Sequence, residues 1–131
     1  MNRVVITGAG TINALGVTVP QTLEAMREGR LGIGALDFRD VERLSIKIGG
    51  QVHGFDAEAH FDRQKLGLYD RFTQFTLIAA REAVAQSGLT FSDELAETSG
   101  VVLGTAAGGM NTWDDNFRSV YQEGKNRVHP F

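Results

Sequence analysis

Two glycine-rich stretches have residue types and spacing that could bind a phosphate group. The first is Gly8-Ala-Gly10-Thr-Ile-Asn13, which follows the β-branched run at 4–6. The dinucleotide fingerprint G-x-G-x-x-G needs a third glycine at position 13, where this chain has asparagine. The helix signal begins only near Thr18, too late to aim a helix N-terminus at a pyrophosphate. A turn that needs glycine backbone angles is therefore favoured, and a nucleotide-binding oxidoreductase is kept as an alternative.

The second stretch runs from Gly100 to Gly109 and reads GVVLGTAAGG. The residues after it are Met110 and Asn111, so it lacks the lysine and hydroxyl residue of a phosphate-binding P-loop. We interpret it as the end of a buried strand where the backbone approaches a neighbour closely. A wall of small residues beside a ligand is the functional alternative.

Nucleophilic and metal-binding side chains are scarce. The sequence contains no cysteine, which excludes a cysteine nucleophile, a disulfide and a Cys-ligated zinc within these residues. The three histidines, His53, His60 and His129, do not have metal-ligand spacing, and no H-E-x-x-H motif is present. No Ser/His/Asp set can be proposed from spacing. The sequence therefore predicts no metal, no cofactor and no catalytic residue in this chain.

Charge and hydropathy narrow the class of partner. Thirteen basic residues stand against sixteen acidic ones, so the net charge is -3 and there is no basic run to attract nucleic acid. The longest apolar stretches are short and interrupted, which argues against a transmembrane span. We expect a cytoplasmic protein, since the apolar run at the amino terminus, residues 4–6, is too short for a signal peptide.

The elements that would position these groups alternate between strand and helix. Continuous apolar runs predict buried strands at 4–6 and 100–104. A third strand is predicted over 46–48 and 51–52, interrupted by Gly49-Gly50 and hence bulged or bent. Capping residues and terminal glycines predict helices after Thr18, Asp70 and Ser92 and a last helix over 110–122. This order is typical of an α/β fold with a parallel or mixed sheet.

The helix predicted over 71–86 is apolar around most of its circumference. Its only polar strip consists of Gln74, Arg81, Glu82 and Gln86. We expect this helix to be mostly buried, with that strip facing solvent.

The chain resembles a known family along its whole length. The segments that carry the resemblance are Arg3-Val-Val-Ile-Thr-Gly-Ala-Gly-Thr11, Asp70-Arg-Phe-Thr-Gln-Phe-Thr76, Gly104-Thr-Ala-Ala-Gly-Gly109 and His129-Pro-Phe131. In this order they are similar to the amino terminus of the elongating β-ketoacyl-acyl carrier protein synthases. The resemblance implies a thiolase-like fold of layered α/β structure, of which residues 1–131 would form the first part of the N-terminal domain.

The resemblance also implies a chemistry. Family members transfer an acyl group from acyl carrier protein to a cysteine and then condense it with decarboxylated malonyl carrier protein, and they work as homodimers. The family's cysteine and two histidines lie beyond the segments matched here, so we expect this chain by itself to be inactive. Residues matching Ala107, Met110 and Phe131 line or adjoin the acyl pocket. A non-catalytic chain-length-factor subunit is the alternative within the same family.

Overall fold

The computed structural model describes residues 3–128, which form two compact units. The first comprises the residues up to Asp56 together with Phe75–Ser87, and the second comprises Ala57–Gln74 and the residues from Gly88 onward. The elements in chain order are α1 (Val19–Arg27), β1 (Ile33–Ala35), a 3₁₀ turn (Val41–Arg43), β2 (Ile48–Gly50), α2 (Arg63–Leu68), α3 (Arg71–Ser87), α4 (Asp93–Thr98) and α5 (Met110–Tyr121).

Helix α1 begins and ends where the sequence predicts. The Thr18 side chain accepts a hydrogen bond from the Gln21 backbone amide, and Pro20 lies in the first turn. Gly29 follows the helix with φ +67°, a conformation in which glycine avoids the Cβ clash of other residues. The structure confirms these local signals. They could be predicted because each depends on backbone groups only a few residues away.

The only strands in the described part of the chain form an antiparallel hairpin. Ile33 pairs with Gly50, and Ala35 pairs with Ile48. The pairing is extended by Gln51, whose side-chain amide donates to Asp37 O and accepts from Asp37 N. The prediction that Gly49-Gly50 interrupts the strand is wrong: β2 passes through both glycines, and a Cβ on Gly49 would lie 3.0 Å from Leu36 Cδ2. The sequence signal for β1 was missed, because two glycines flank Ile33.

The buried strands predicted at 4–6 and 100–104 are not formed within residues 3–128. Val4 and Ile6 are 96% and 93% exposed, and Val101 and Val102 are 94% and 101% exposed. A strand needs hydrogen-bonding neighbours and covered faces, and neither segment pairs with another strand here. The parallel sheet expected from these runs is therefore absent from the described residues, although both runs keep the composition of buried strands.

Helix α3 forms over the predicted range and ends at Gly88, whose φ is +66°. Its burial differs from the prediction. Gln74, assigned to the solvent strip, is the only buried residue of the helix, and its Nε2 donates to Tyr69 O at 2.8 Å. The apolar face of α3 is only partly covered, and Val84 is exposed, since no other helix packs extensively against it within the described part of the chain.

Helices α2, α4 and α5 belong to the second unit. Helix α2 was not predicted from the sequence. It begins at Asp62, whose carboxylate accepts from Lys65 N and pairs with Lys65 Nζ at 2.7 Å. The hydrogen bonds from Lys65 hold the pKa of Asp62 below its usual value. Helix α4 follows Ser92, and α5 is followed by Gly124 at φ +65°, both as predicted.

The packed core is small. Ala25 and Phe61 are the buried apolar residues within 3–128, and the Phe61 ring meets the Tyr69 ring edge-on at 5.8 Å. Large apolar side chains on several elements are accordingly left in contact with solvent.

Candidate functional site

The first glycine-rich segment lies directly against helix α3. A Cβ built on Gly8 would lie 2.0 Å from Ala83 O, and one built on Gly10 would lie 1.8 Å from Ala79 O. Neither glycine has a positive φ. The expectation that this turn needs glycine backbone angles is therefore wrong. What the segment requires is the absence of a side chain where two backbones meet.

Polar side chains of α3 hold the same segment. Gln86 Oε1 accepts from Ala9 N at 2.6 Å, and Glu82 Oε2 accepts from Thr11 N at 3.0 Å. Glu82 Oε1 also accepts from Val19 N at 2.8 Å, in the first turn of α1. Both side chains were assigned to a solvent strip, but they bind the backbone of the glycine segment. Their long-range partners could not be read from helical periodicity.

This arrangement argues against nucleotide binding. A pyrophosphate site needs free backbone amides at a helix N-terminus. Here the amides of Ala9, Thr11 and Val19 already donate to side chains, and one acceptor is the Glu82 carboxylate, which would repel a phosphate. Asn13, at the position of the missing glycine, donates to Thr11 Oγ1 and Thr22 Oγ1 and accepts from Leu15 N. The asparagine stabilises the loop internally.

Replacing Glu82 with alanine should destabilise the first unit by about 2 kcal/mol, because two backbone amides lose a charged acceptor. Glu82→Gln should cost less, since one side-chain oxygen is kept. Urea unfolding followed by circular dichroism measures both. Glu24→Ala, on the exposed side of α1, removes the same charge and should stay within about 0.5 kcal/mol of wild type. Equal effects of Glu82→Ala and Glu24→Ala would contradict the assigned contacts.

The second glycine-rich segment leads into α5. Gly108 has φ +63°, and its amide donates to Thr105 Oγ1 at 3.0 Å. Gly109 is the N-cap residue of α5 and has no side chain to cap it. The Asp70 carboxylate does so instead: its Oδ2 accepts from Thr112 N at 2.8 Å and from Thr112 Oγ1 at 2.7 Å. The sequence predicted Asp70 only as the cap of α3.

Ala107 and Met110 are two of the predicted pocket residues. Ala107 lies on this glycine-rich segment, and Met110 is the first residue of α5. Ala107 is exposed, and Met110 is 58% exposed. Two cavities flank Asp70. One, of about 290 Å³, is lined by Leu68, Asp70, Phe72, Thr73, Gly109 and Trp113. The other, of about 360 Å³, includes Tyr69 and Thr112. Ala107 and Met110 line neither cavity. Phe131, the third predicted pocket residue, lies outside the described residues.

An aromatic face on α5 was not predicted. Trp113, Phe117 and Tyr121 follow one another at intervals of four residues, with ring centroids 6.1 and 5.8 Å apart. Together with Val120 and Val128 they line an apolar groove of about 250 Å³. The regular spacing of the three aromatic residues is the sequence signal that could have identified this face.

A metal-binding cluster is not found within residues 3–128. No cysteine is present, and no group of three His, Asp or Glu side chains could hold a metal ion there. His53 and His60 are exposed, while His129 lies outside the described residues. None of the helices in this part of the chain is both long and apolar enough to cross a membrane.

Comparison with known proteins decides the family. The protein-family model described as "Beta-ketoacyl synthase, N-terminal domain" matches residues 1–131. The chain belongs to the β-ketoacyl synthase family. This chain is 37% identical over 129 residues to 3-oxoacyl-acyl-carrier-protein synthase 2 of Staphylococcus aureus, and the match covers 98% of this chain and 31% of that protein. It is 33% identical, with the same coverage, to the enzyme of that name from Synechocystis.

Solved structures agree with this family. The ishigamide ketosynthase/chain length factor superposes with a TM-score of 0.74 at 25% identity, over 92% of this chain and 30% of that one. A β-ketoacyl synthase from Burkholderia phymatum superposes with a TM-score of 0.63 at 22% identity, over 95% of this chain and 31% of that one. This chain thus has the mixed α/β structure of the amino-terminal part of the thiolase-like fold, as predicted. It spans about a third of the length of the curated relatives it matches.

Proposed function

We propose that this chain forms the amino-terminal part of a 3-oxoacyl-acyl carrier protein synthase, a cytoplasmic homodimer that elongates acyl chains. The observation that carries the proposal is its 37% identity, along 98% of its length, to 3-oxoacyl-acyl-carrier-protein synthase 2. Within that enzyme, residues 1–131 belong to the N-terminal domain. Their role is to support the acyl pocket, with Ala107, Met110 and Phe131 at or near its wall.

The proposed reaction has two steps. A cysteine thiolate attacks the acyl thioester, so that the acyl group moves to the cysteine and the carrier protein leaves as a thiol. Malonyl carrier protein then loses carbon dioxide. The resulting carbanion attacks the acyl-cysteine, a carbon–carbon bond forms and the cysteine thiolate leaves. Because residues 1–131 contain no cysteine, the nucleophile must come from polypeptide outside them.

The exposed surface supports a role within a larger domain. The exposed runs at 4–6 and 101–103 have strand composition on both faces, which suits the interior of a layered sheet. Further polypeptide of the synthase would cover these faces.

The chain alone should form no acyl adduct when incubated with acyl carrier protein thioesters, because it has no cysteine to accept the acyl group. Intact-protein mass spectrometry detects such an adduct directly. The S. aureus synthase 2 treated in parallel serves as the positive control and should gain the acyl mass. A stable, stoichiometric adduct on this chain would overturn the proposed location of the nucleophile.

A chimera tests the proposed function. In it, this chain replaces the matching 129 residues of S. aureus synthase 2, and condensation of acyl and malonyl carrier protein is measured. Activity of the chimera supports the proposal. A folded, dimeric chimera that accepts acyl groups but never condenses them contradicts it. Size-exclusion chromatography and a thermal melt separate that outcome from misfolding, and the unmodified synthase 2 is the reference.

A non-catalytic chain-length factor is the second candidate. It is favoured by the superposition on the ishigamide ketosynthase/chain length factor. The two candidates differ at the nucleophile position, where a synthase has cysteine and a chain-length factor has glutamine or another residue. The gene sequence following codon 131 distinguishes them without an assay.

A further inference from the structure

Asp70 lies where two helices begin. Its Oδ1 accepts from Phe72 N at 3.2 Å, in the first turn of α3. Its Oδ2 accepts from both the amide and the hydroxyl of Thr112, in the first turn of α5. One half-buried carboxylate therefore caps the first turns of two helices, which begin about forty residues apart in the sequence. Asp70, Phe72 and Thr112 all lie in the second unit.

The glycine segment before α5 is shaped to admit this carboxylate. A Cβ on Gly109 would lie 3.2 Å from Asp70 Oδ2, which is tighter than most Cβ contacts, and 3.4 Å from Asp70 Cγ. Gly109 leaves that space open but offers no cap of its own. Gly108, at φ +63°, turns the chain immediately before it. The position of the turn is thus tied to α3 through Asp70.

From this geometry we propose that Asp70 is a positioning residue that sets the place of the 104–109 turn and so the acyl-chain preference of the enzyme. The link to acyl chains rests on the proposed function, because Ala107 lies on that turn. Asp70 itself does not contact the reacting atoms in this proposal. It acts through Thr112 and the first turn of α5.

The first test measures the contact between Asp70 and Thr112 without using enzyme activity. In Asp70→Ser, the short hydroxyl can still cap α3 but cannot reach Thr112 N. Hydrogen exchange of the Thr112 amide should become at least about tenfold faster, while exchange at Phe72 changes little. Asp70→Asn keeps one acceptor oxygen, which can serve Phe72 N or Thr112 N but not both, so exchange at one of these two amides should become faster. Asp93→Asn, an equal charge change at the start of α4, should alter neither amide. Unchanged exchange at Thr112 in Asp70→Ser would overturn the proposal.

The second test uses the full synthase that contains this chain. The ratio of kcat/KM for long and short acyl carrier protein thioesters should shift by at least about threefold in Asp70→Ser, and less in Thr112→Val, which keeps the amide donor. A simple loss of folded enzyme lowers both values equally and leaves their ratio unchanged. Faster exchange with an unchanged ratio would overturn the specificity role. If the wild-type enzyme condenses no acyl chain, the proposed function fails. The hydrogen-exchange result then still decides whether Asp70 caps α5 through Thr112.

Discussion

Replacing Gly10 with alanine is expected to destabilise the protein by about 3 kcal/mol or more, the upper end of the cost of overpacking. The new methyl group would lie 1.8 Å from Ala79 O, far inside van der Waals contact. The position of the methyl group is fixed by the backbone of residue 10, and its partner is a backbone oxygen, so neither can rotate away. The loop must move off α3, and the hydrogen bonds of Thr11 and Ala9 to Glu82 and Gln86 are then lost as well.

The glycine at position 34 provides the matched control for this substitution. Gly34 has no positive φ, and no atom lies within 4 Å of a Cβ built on it. Gly34→Ala should therefore change the free energy of unfolding by less than about 0.5 kcal/mol. Gly8→Ala should resemble Gly10→Ala, since its methyl group would lie 2.0 Å from Ala83 O. Chemical denaturation followed by circular dichroism compares all three. If Gly10→Ala unfolds like Gly34→Ala, the close contact with α3 is not present in solution.

Ala107→Phe should shorten the preferred acyl chain of the full synthase. If Ala107 forms part of the pocket wall, a phenyl ring occupies the space of the distal acyl carbons. Overpacking costs roughly 1–3 kcal/mol, which corresponds to a loss of about five- to 150-fold in kcat/KM for the longest substrates. Short chains should be little affected. Stability should change little, because Ala107 is exposed in this structure and is not a core residue.

Specificity constants across a series of acyl lengths, measured beside the melting temperature, test this prediction. Ala107→Ser is the control, since it alters the residue with little change in volume and should leave the length profile unchanged. Equal losses at every chain length in Ala107→Phe would remove Ala107 from the pocket. A lower melting temperature with an unchanged profile would instead identify it as a packing residue.

Helix ends were the part of this fold that could be predicted most precisely. Thr18 caps α1, and Gly29, Gly88 and Gly124 follow three helices with positive φ. Each signal satisfies or terminates backbone groups within one turn, so no distant residue is needed. Helix α2 was missed because Gly67 and the short length of the segment weaken its helical pattern.

Strands were predicted less well. The runs at 4–6 and 101–103 have the composition of central strands, yet both are unpaired and exposed within residues 3–128. The strands that do form, β1 and β2, are rich in glycine and were placed only in part. A strand is stabilised by neighbours that lie far away in sequence, so composition indicates the capacity to pair but does not identify the partner.

The sequence alone determined the family, the ends of α1, α3 and α5, and the absence of a cysteine from residues 1–131. These properties depend on residue identity and order, or on interactions within one helical turn. Only the tertiary structure showed that Gly8 and Gly10 serve close backbone contact, that Glu82 and Gln86 bind the loop backbone, and that Asp70 caps a second helix. These contacts join residues roughly 40 to 80 positions apart. Local propensity contains no information about such pairs, because it depends on the nearest residues and not on which distant segments meet.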